Sequence, residues 1–212
     1  MAKLQLPEQL WWDHNAHYHR WLLTQLPERT DRVLDVGCGA GRLACALSER
    51  SRHVDALDPS WEMIQQARRR QPDASNISWL HGNFLDPETP LQPGGYDAIT
   101  AVASLHHMPL LPALARFAVL LRPGGVLAMV GLYKPSTVSD VAMELMSIPA
   151  NVVVGMGLSL RGRAGKPDDD GMPWHAPSAS LGEIRKAVEQ QLPGAHLRRA
   201  VFWRYLLTWR RD

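Results

Sequence analysis

Residues 34–43 read LDVGCGAGRL. An apolar run stops in glycines at 37, 39 and 41 and resumes with Arg42 and Leu43 as a helix would. The pattern predicts a buried strand that turns sharply into a helix. Glycine tolerates positive φ and has no Cβ, so the backbone can bend tightly and approach a ligand. The free N–H groups of the following helix point into the same space. In an open parallel sheet, ligands bind beyond the carboxyl ends of the strands, where the strand order reverses. Whether this loop is such a place depends on what flanks it.

The flanking sequence alternates. RVLDVG (32–37), HVDALD (53–58), ISWLHG (77–82), YDAITAVAS (96–104) and VLAMVGL (126–132) read as short buried strands. Helical patterns separate most of them, at 41–50, at 60–70 behind a Ser60 cap, and at 110–121 with Pro112 in the first turn. RPGG (122–125) reads as a turn. Such alternation implies a parallel sheet covered on both faces. The end of the chain differs. A helix over 178–191 stops at Pro193-Gly194, and AHLRRAVF and RYLLTWRR follow with little between them, so they should pair antiparallel. The expected fold is α/β, a doubly wound and mostly parallel sheet with an antiparallel C-terminal strand and a helical lid. The 212 residues are expected to form one domain: a lid helix (1–30), a cofactor-binding core (31–132), a cap insertion (133–175) and a C-terminal helix with a strand pair (176–212).

Composition narrows the class. Hydrophobic residues make up 45% of the chain, which supports a packed core and argues against disorder. The formal net charge of +2 is scattered, a weak basis for an acidic partner. Arg68, Arg69 and Arg70 fall at an expected helix end, where they complement its dipole. Cys38 and Cys45 offer no disulfide framework or zinc spacing, so the expected compartment is reducing and no metal is expected. The apolar run around 141–160 is broken by Glu144, Pro149, Asn151 and two glycines, and the N-terminus has no apolar signal core. A soluble, cytoplasmic protein without a membrane span is expected.

The glycine loop needs a ligand class. A nicotinamide fingerprint GxGxxG would place its third glycine at 42, where Arg42 stands, and no phosphate-cradling GxxxxGK[ST] is present. Asp58 ends the second strand, where a carboxylate can accept both hydroxyls of an adenosine ribose. Asp35, just before the glycines, can bind an ammonium group. At this point the chain resembles the class I S-adenosylmethionine-dependent methyltransferases. VLDVGCGAG (33–41) resembles their first motif, and Asp58 matches the acidic residue after their second strand. HGNFLD (81–86), AVASLHHM (101–108) and LLRPGGVL (120–127) resemble the segments that follow.

The resemblance implies S-adenosylmethionine as cofactor. Asp35 with the backbone of Gly37, Cys38, Gly39 and Gly41 would hold its methionine end, and Asp58 its ribose. Met63 and Phe84 would lie beside the adenine, or else be core. Asn83, standing where an acid is frequent, would accept from the adenine amine. Pro59, Ala101 and Ser104 would complete the set.

Methyl transfer from a sulfonium is an in-line displacement, helped by alignment and exclusion of water. A base is needed only where the acceptor must lose a proton early. His106 and His107, expected at the end of the fourth strand, are the candidate bases, His107 by family resemblance ahead of His106; the alternative is a loop or capping role. Enzymes that methylate base amino groups carry [DNS]PP[YFW] after that strand, whereas this chain has ASLH and also lacks a Pro-Cys pair. Nucleic acid is therefore disfavoured, and a small-molecule acceptor is expected, methylated on N, O or C. Two alternatives remain at this level: a non-catalytic cofactor-binding regulator or partner subunit on the same fold, and a nicotinamide-dependent oxidoreductase, which Arg42 disfavours.

WWDHNAHYHR (11–20) reads as part of a helix running to about Leu26. Its histidines spread around the helix and make a poor metal site. Trp11, Trp12 and Trp21 would give apolar area, and His14, Tyr18 and His19 polar tips, to one wall of a lid. The other wall would be the insertion from Tyr133 to Trp174, whose Met143, Met146 and Met156 suit an adaptable pocket, a homodimer contact or plain core.

Overall fold

The computed structural model describes residues 13–137, 140, 156 and 175–212. Two short helices, α1 (His14–His17) and α2 (His19–Gln25), precede β1 (Thr30–Val36). Then come α3 (Arg42–Ser48), β2 (Ser51–Asp58), α4 (Trp61–Arg70), β3 (Ile77–His81) and β4 (Tyr96–Val102). A 3-10 turn at Leu105–His107 leads to α5 (Leu110–Leu120), β5 (Leu121–Leu132), α6 (Leu181–Gln191), β6 (His196–Ala200) and β7 (Arg204–Arg210).

The seven strands form one sheet in the order β3-β2-β1-β4-β5-β7-β6. β1 to β5 are mutually parallel, and β7 runs antiparallel to both β5 and β6. The expected doubly wound sheet is thus present, with β7 inserted between β5 and β6. The order reverses between β1 and β4, so the crevice beyond their carboxyl ends lies directly above the glycine loop.

Strand alternation divides the core into two. Leu34, Val36, Ile99, Leu127 and Met129 pack under α5 and α6 against Leu114, Phe117, Ile184 and Val188. Val33, Val54, Ala98, Ala128, Val130 and Leu206 pack on the other face against Leu22, Leu43, Leu47 and Ile64 of α2, α3 and α4. Each fully buried Leu, Ile or Phe contributes about 2 kcal/mol, which is what holds the helices on the sheet. Caps fix three helix starts: Asp13 accepts from the Asn15 and Ala16 N–H groups, Ser60 Oγ accepts from the Met63 N–H, and Ser180 forms a capping box with Glu183.

Three details differ from the sequence expectation. The N-terminal helix is broken at Tyr18, whose N–H turns to the Asn15 carbonyl while its phenol donates to the Val201 carbonyl at 2.7 Å. Side-chain anchorage to the β6–β7 turn accompanies the break. The fourth strand ends at Val102 rather than 104, because Ala103 takes φ +50. RPGG does not simply separate helix from strand; β5 runs through it, with Leu121 paired to Tyr96 and a register shift before Ala98. Among the described residues no helix is long and apolar enough to cross a membrane.

Candidate functional site

A cavity of about 800 Å³ lies above the carboxyl ends of β1, β2 and β4. The glycine loop forms its floor. Gly37 has φ +75, and a Cβ there would come within 2.5 Å of the Ser104 Cβ, so only glycine lets the loop pass the end of β4. The N–H groups of Gly37 and Cys38 both donate to the Leu57 carbonyl, which ties the loop to β2. Gly41 serves a different purpose. A Cβ on it would lie 2.5 Å from the Trp79 ring, so this glycine brings α3 close to β3 and does not line the cavity.

Two buried carboxylates stand at this floor. Asp58 accepts from the Gly39 N–H at 2.8 Å with Oδ2 and from the Ser60 N–H at 2.8 Å with Oδ1. Burial pushes its pKa up, against the pull of those two N–H groups. Each of its oxygens keeps a second lone pair for a ligand. Asp35 is 2% exposed. Its Oδ1 accepts from the Thr100 hydroxyl at 2.8 Å, while its Oδ2 has no hydrogen-bond partner among the described residues. Burial pushes the Asp35 carboxyl up to about 7, opposed by Thr100 and reinforced by the nearby Asp58 charge. Ser104 Oγ is a second buried polar atom here without a partner.

The remaining expected residues divide. Cys38, Pro59, Met63, Asn83 and Phe84 line the cavity. Burial drives the Cys38 thiol well above its ordinary pKa, so it contributes surface and backbone rather than a thiolate. Met63 is buried, and the Phe84 ring packs 4.5 Å from that of Phe117, so both belong to core and cavity wall together. Asn83 is exposed, and its Oδ1 already accepts from the Leu85 N–H at 2.9 Å, leaving one lone pair. Ala101 is fully buried in the sheet and does not line the cavity.

Both histidines after β4 line the cavity, with ring centroids 4.0 Å apart. They face different groups. Burial, with the neighbouring His107, holds His106 down to about 4, and its Nδ1 is buried without a partner. The His175 main-chain carbonyl pulls the other way, and the positive field of Arg204 reaches this ring. His107 is more exposed, and burial and His175 lower it while the Asp58 carboxylate raises it. The Asp58 carboxylate thus acts on His107, and the Arg204 field on His106. His175 meets His107 edge-on at 5.2 Å. Among the described residues, no three His, Cys, Asp or Glu side chains are grouped as metal ligands.

The lid expectation is redistributed. His19 lines the cavity, but Tyr18 is buried in the core below it and His14 packs edge-on against Phe202 at 5.4 Å. Tyr133 is likewise buried in the core. Trp11, Trp12, Trp174, Met143 and Met146 lie outside the described residues, as does the homodimer contact drawn through the cap. Asp13 and Asn15 were not foreseen as lining residues, whereas His175 belongs to the MPWH segment (172–175) expected to close over the site. Asp13 caps α1 and pairs with Arg42 at 3.1 Å, Asn15 accepts from Arg204 at 2.7 Å, and His175 closes one side. Asp13 carried a legible signal as an N-cap acid; Asn15 did not.

Residues 33–125 match the family model described as a methyltransferase domain. An uncharacterized methyltransferase of Mycobacterium bovis is 36% identical over 94% of this chain and 96% of its own length. A ubiquinone biosynthesis O-methyltransferase of Xanthomonas campestris is 37% identical over 45% of this chain and 41% of its own. Among solved structures, a SAM-dependent methyltransferase from Aquifex aeolicus superposes with a TM-score of 0.61 at 17% identity, over 92% of this chain and 89% of that one.

Proposed function

The chain belongs to the class I S-adenosylmethionine-dependent methyltransferases, and from that premise we propose that it methylates a small-molecule acceptor within the cavity above β1 and β4. The observation that carries the site assignment is the partnerless Oδ2 of Asp35. A buried carboxylate oxygen without a donor costs about 1–3 kcal/mol, and a cationic ligand relieves that cost. The cofactor's ammonium group has the charge and donors that this oxygen lacks, so the residues present fit the cofactor.

When bound, S-adenosylmethionine supplies a methyl group already activated by its sulfonium. Asp35 and the backbone of Gly37 to Gly39 would hold the methionine portion. The free lone pairs of Asp58 would accept from the ribose hydroxyls, with the carboxylate kept in place by the Gly39 and Ser60 N–H groups. Asn83 would take the adenine amine, between Met63 and Phe84. Fixed donors and acceptors of this kind promote in-line displacement by orientation.

His106 is assigned the proton-accepting role, ahead of His107. It stays neutral at physiological pH and lines the cavity, whereas the Asp58 charge acts on His107. His107 is assigned to the ribose side, where its proton would follow the Asp58 charge. The cavity volume suits a drug-sized molecule better than a polymer. A single cytoplasmic domain is the organisation we favour, with both cysteines as free thiols.

The test combines calorimetry of S-adenosylmethionine binding with a methylation screen over small phenols, amines and carbon acids. Micromolar binding together with labelled product from one acceptor class supports the reading. Absence of cofactor binding by folded protein would overturn it.

A further inference from the structure

The far wall of the cavity holds a charge the methyl-transfer reading does not use. Arg204 opens β7 at the carboxyl end of β5, where it pairs with Leu132, and is 8% exposed. Its Nη1 donates to the Phe202 carbonyl at 2.6 Å and its Nη2 to Asn15 Oδ1 at 2.7 Å. Its Nε is buried without a partner among the described residues. Among the described residues no carboxylate forms an ion pair with it, and burial lowers its pKa to about 10. The opposite charge that reaches it, Asp13, is paired with Arg42 instead, so the buried cation is left under-compensated and its retention favours a further anion.

The surroundings hold Arg204 in place at a cost of their own. Phe202 and Trp203 both take φ +60 in the β6–β7 turn, a conformation that suits glycine or asparagine. The turn is anchored by the Phe202 ring against His14 and His17, and by the Tyr18 phenol on Val201. Strain of this kind is kept where a group must be positioned.

Asn15 transmits the charge to the cavity. Arginine only donates, so the amide oxygen of Asn15 must face Arg204, and its Nδ2 donors are the half left for the cavity it lines. The guanidinium behind them polarises those donors. His106 lines the same cavity and feels the same positive field.

We infer that the acceptor carries an anionic oxygen group, a carboxylate or a phosphate monoester, which docks on the Asn15 amide with Arg204 as the positioning charge behind it. This rests on the methyl-transfer reading and names the chemical class of its acceptor. The anion holds one end of the molecule, and His106 faces the atom to be methylated.

The experiment uses the full chain saturated with S-adenosylhomocysteine and titrated with benzoate, phenyl phosphate and benzamide, read by ligand-detected NMR. At least one anion should bind tenfold or more tightly than the neutral amide, and whichever is tighter identifies the head group. Asn15→Asp can pair with Arg204, so it should fold, yet it presents acceptors instead of donors. It should abolish the preference, as should Arg204→Met, while Arg204→Lys should restore part of it. Equal binding of all three probes by the loaded wild type, or an unchanged preference in Asn15→Asp, would overturn the inference alone. Loss of nucleoside affinity in Asn15→Asp with the probe ranking intact would also overturn it, by assigning the amide to the cofactor's own carboxylate. A folded wild type that takes up no nucleoside would bring down the methyl-transfer reading and this inference together.

Discussion

The two walls of the cavity are built differently. The cofactor wall comes from one stretch of chain: Asp35 and Gly37 to Gly39 at the end of β1, and Asp58 at the end of β2, which Gly39 contacts directly. The far wall is assembled from distant segments: Asn15 near the N-terminus, His106 after β4 and His175, with Arg204 near the C-terminus behind its partner Asn15, 189 positions away. Buried acids dominate the first wall, and the neutral His106 imidazole backed by a buried cation the second. The local wall answers a requirement shared by every reaction of the family, holding one nucleoside. The assembled wall can change with each acceptor without disturbing that hold.

Substitutions should separate the walls. The largest effect is expected at the far wall. His106→Gln should lower kcat by about 10²–10⁴, the range for a lost general base, with cofactor affinity unchanged. His107→Gln should cost kcat far less, and equal losses in the two would erase the distinction drawn between them. Next comes the cofactor wall. Asp58→Ala removes hydrogen bonds to a charged group, and since one such bond is about 1.5–3 kcal/mol, calorimetry should show nucleoside binding weaker by at least roughly 10–100-fold. Retention of wild-type affinity would contradict that wall's assignment. Gly41→Ala should destabilise the fold through the Trp79 contact, yet the folded fraction should bind the nucleoside normally, whereas Gly37→Ala should impair both. The smallest effect is expected beneath the far wall. Tyr18→Phe removes one hydrogen bond to Val201, about 1 kcal/mol, or roughly 2–4 °C in Tm for a chain of this length.

The same contrast explains what the sequence disclosed. The sheet was legible because its strands are short apolar runs between helical ones, and the glycine loop because GCGAG between Asp35 and Asp58 is a local pattern with a local physical reason. The β6–β7 pair followed from two adjacent strands with only a turn between them. Gly41 shows the limit, since a glycine needed for a Trp79 ring reads the same as one needed for a ligand. Tyr18 and Tyr133 have the composition of lid residues and are core, which depends on neighbours more than a hundred positions away for Tyr18. Arg204 and Asn15 had no signal, because a buried ion among scattered arginines is visible only once the chain is folded. The preference proposed for His106 over His107 rests on which ring the Asp58 charge reaches, and sequence does not display that.

The central claim is that Asp35 meets a cation. Its carboxyl has a pKa of about 7 in the free protein, and a bound ammonium would favour the ionised form. Affinity for S-adenosylhomocysteine should therefore be full above that pH and fall as pH drops through it, approaching about tenfold per unit. Calorimetry at pH 8 and pH 6, on the wild type and Asp35→Asn, reads this directly. The account predicts a marked loss on acidification in the wild type and a weak, pH-independent affinity in the variant. Equal affinity at both pH values in the wild type, or an unimpaired Asp35→Asn, would contradict it.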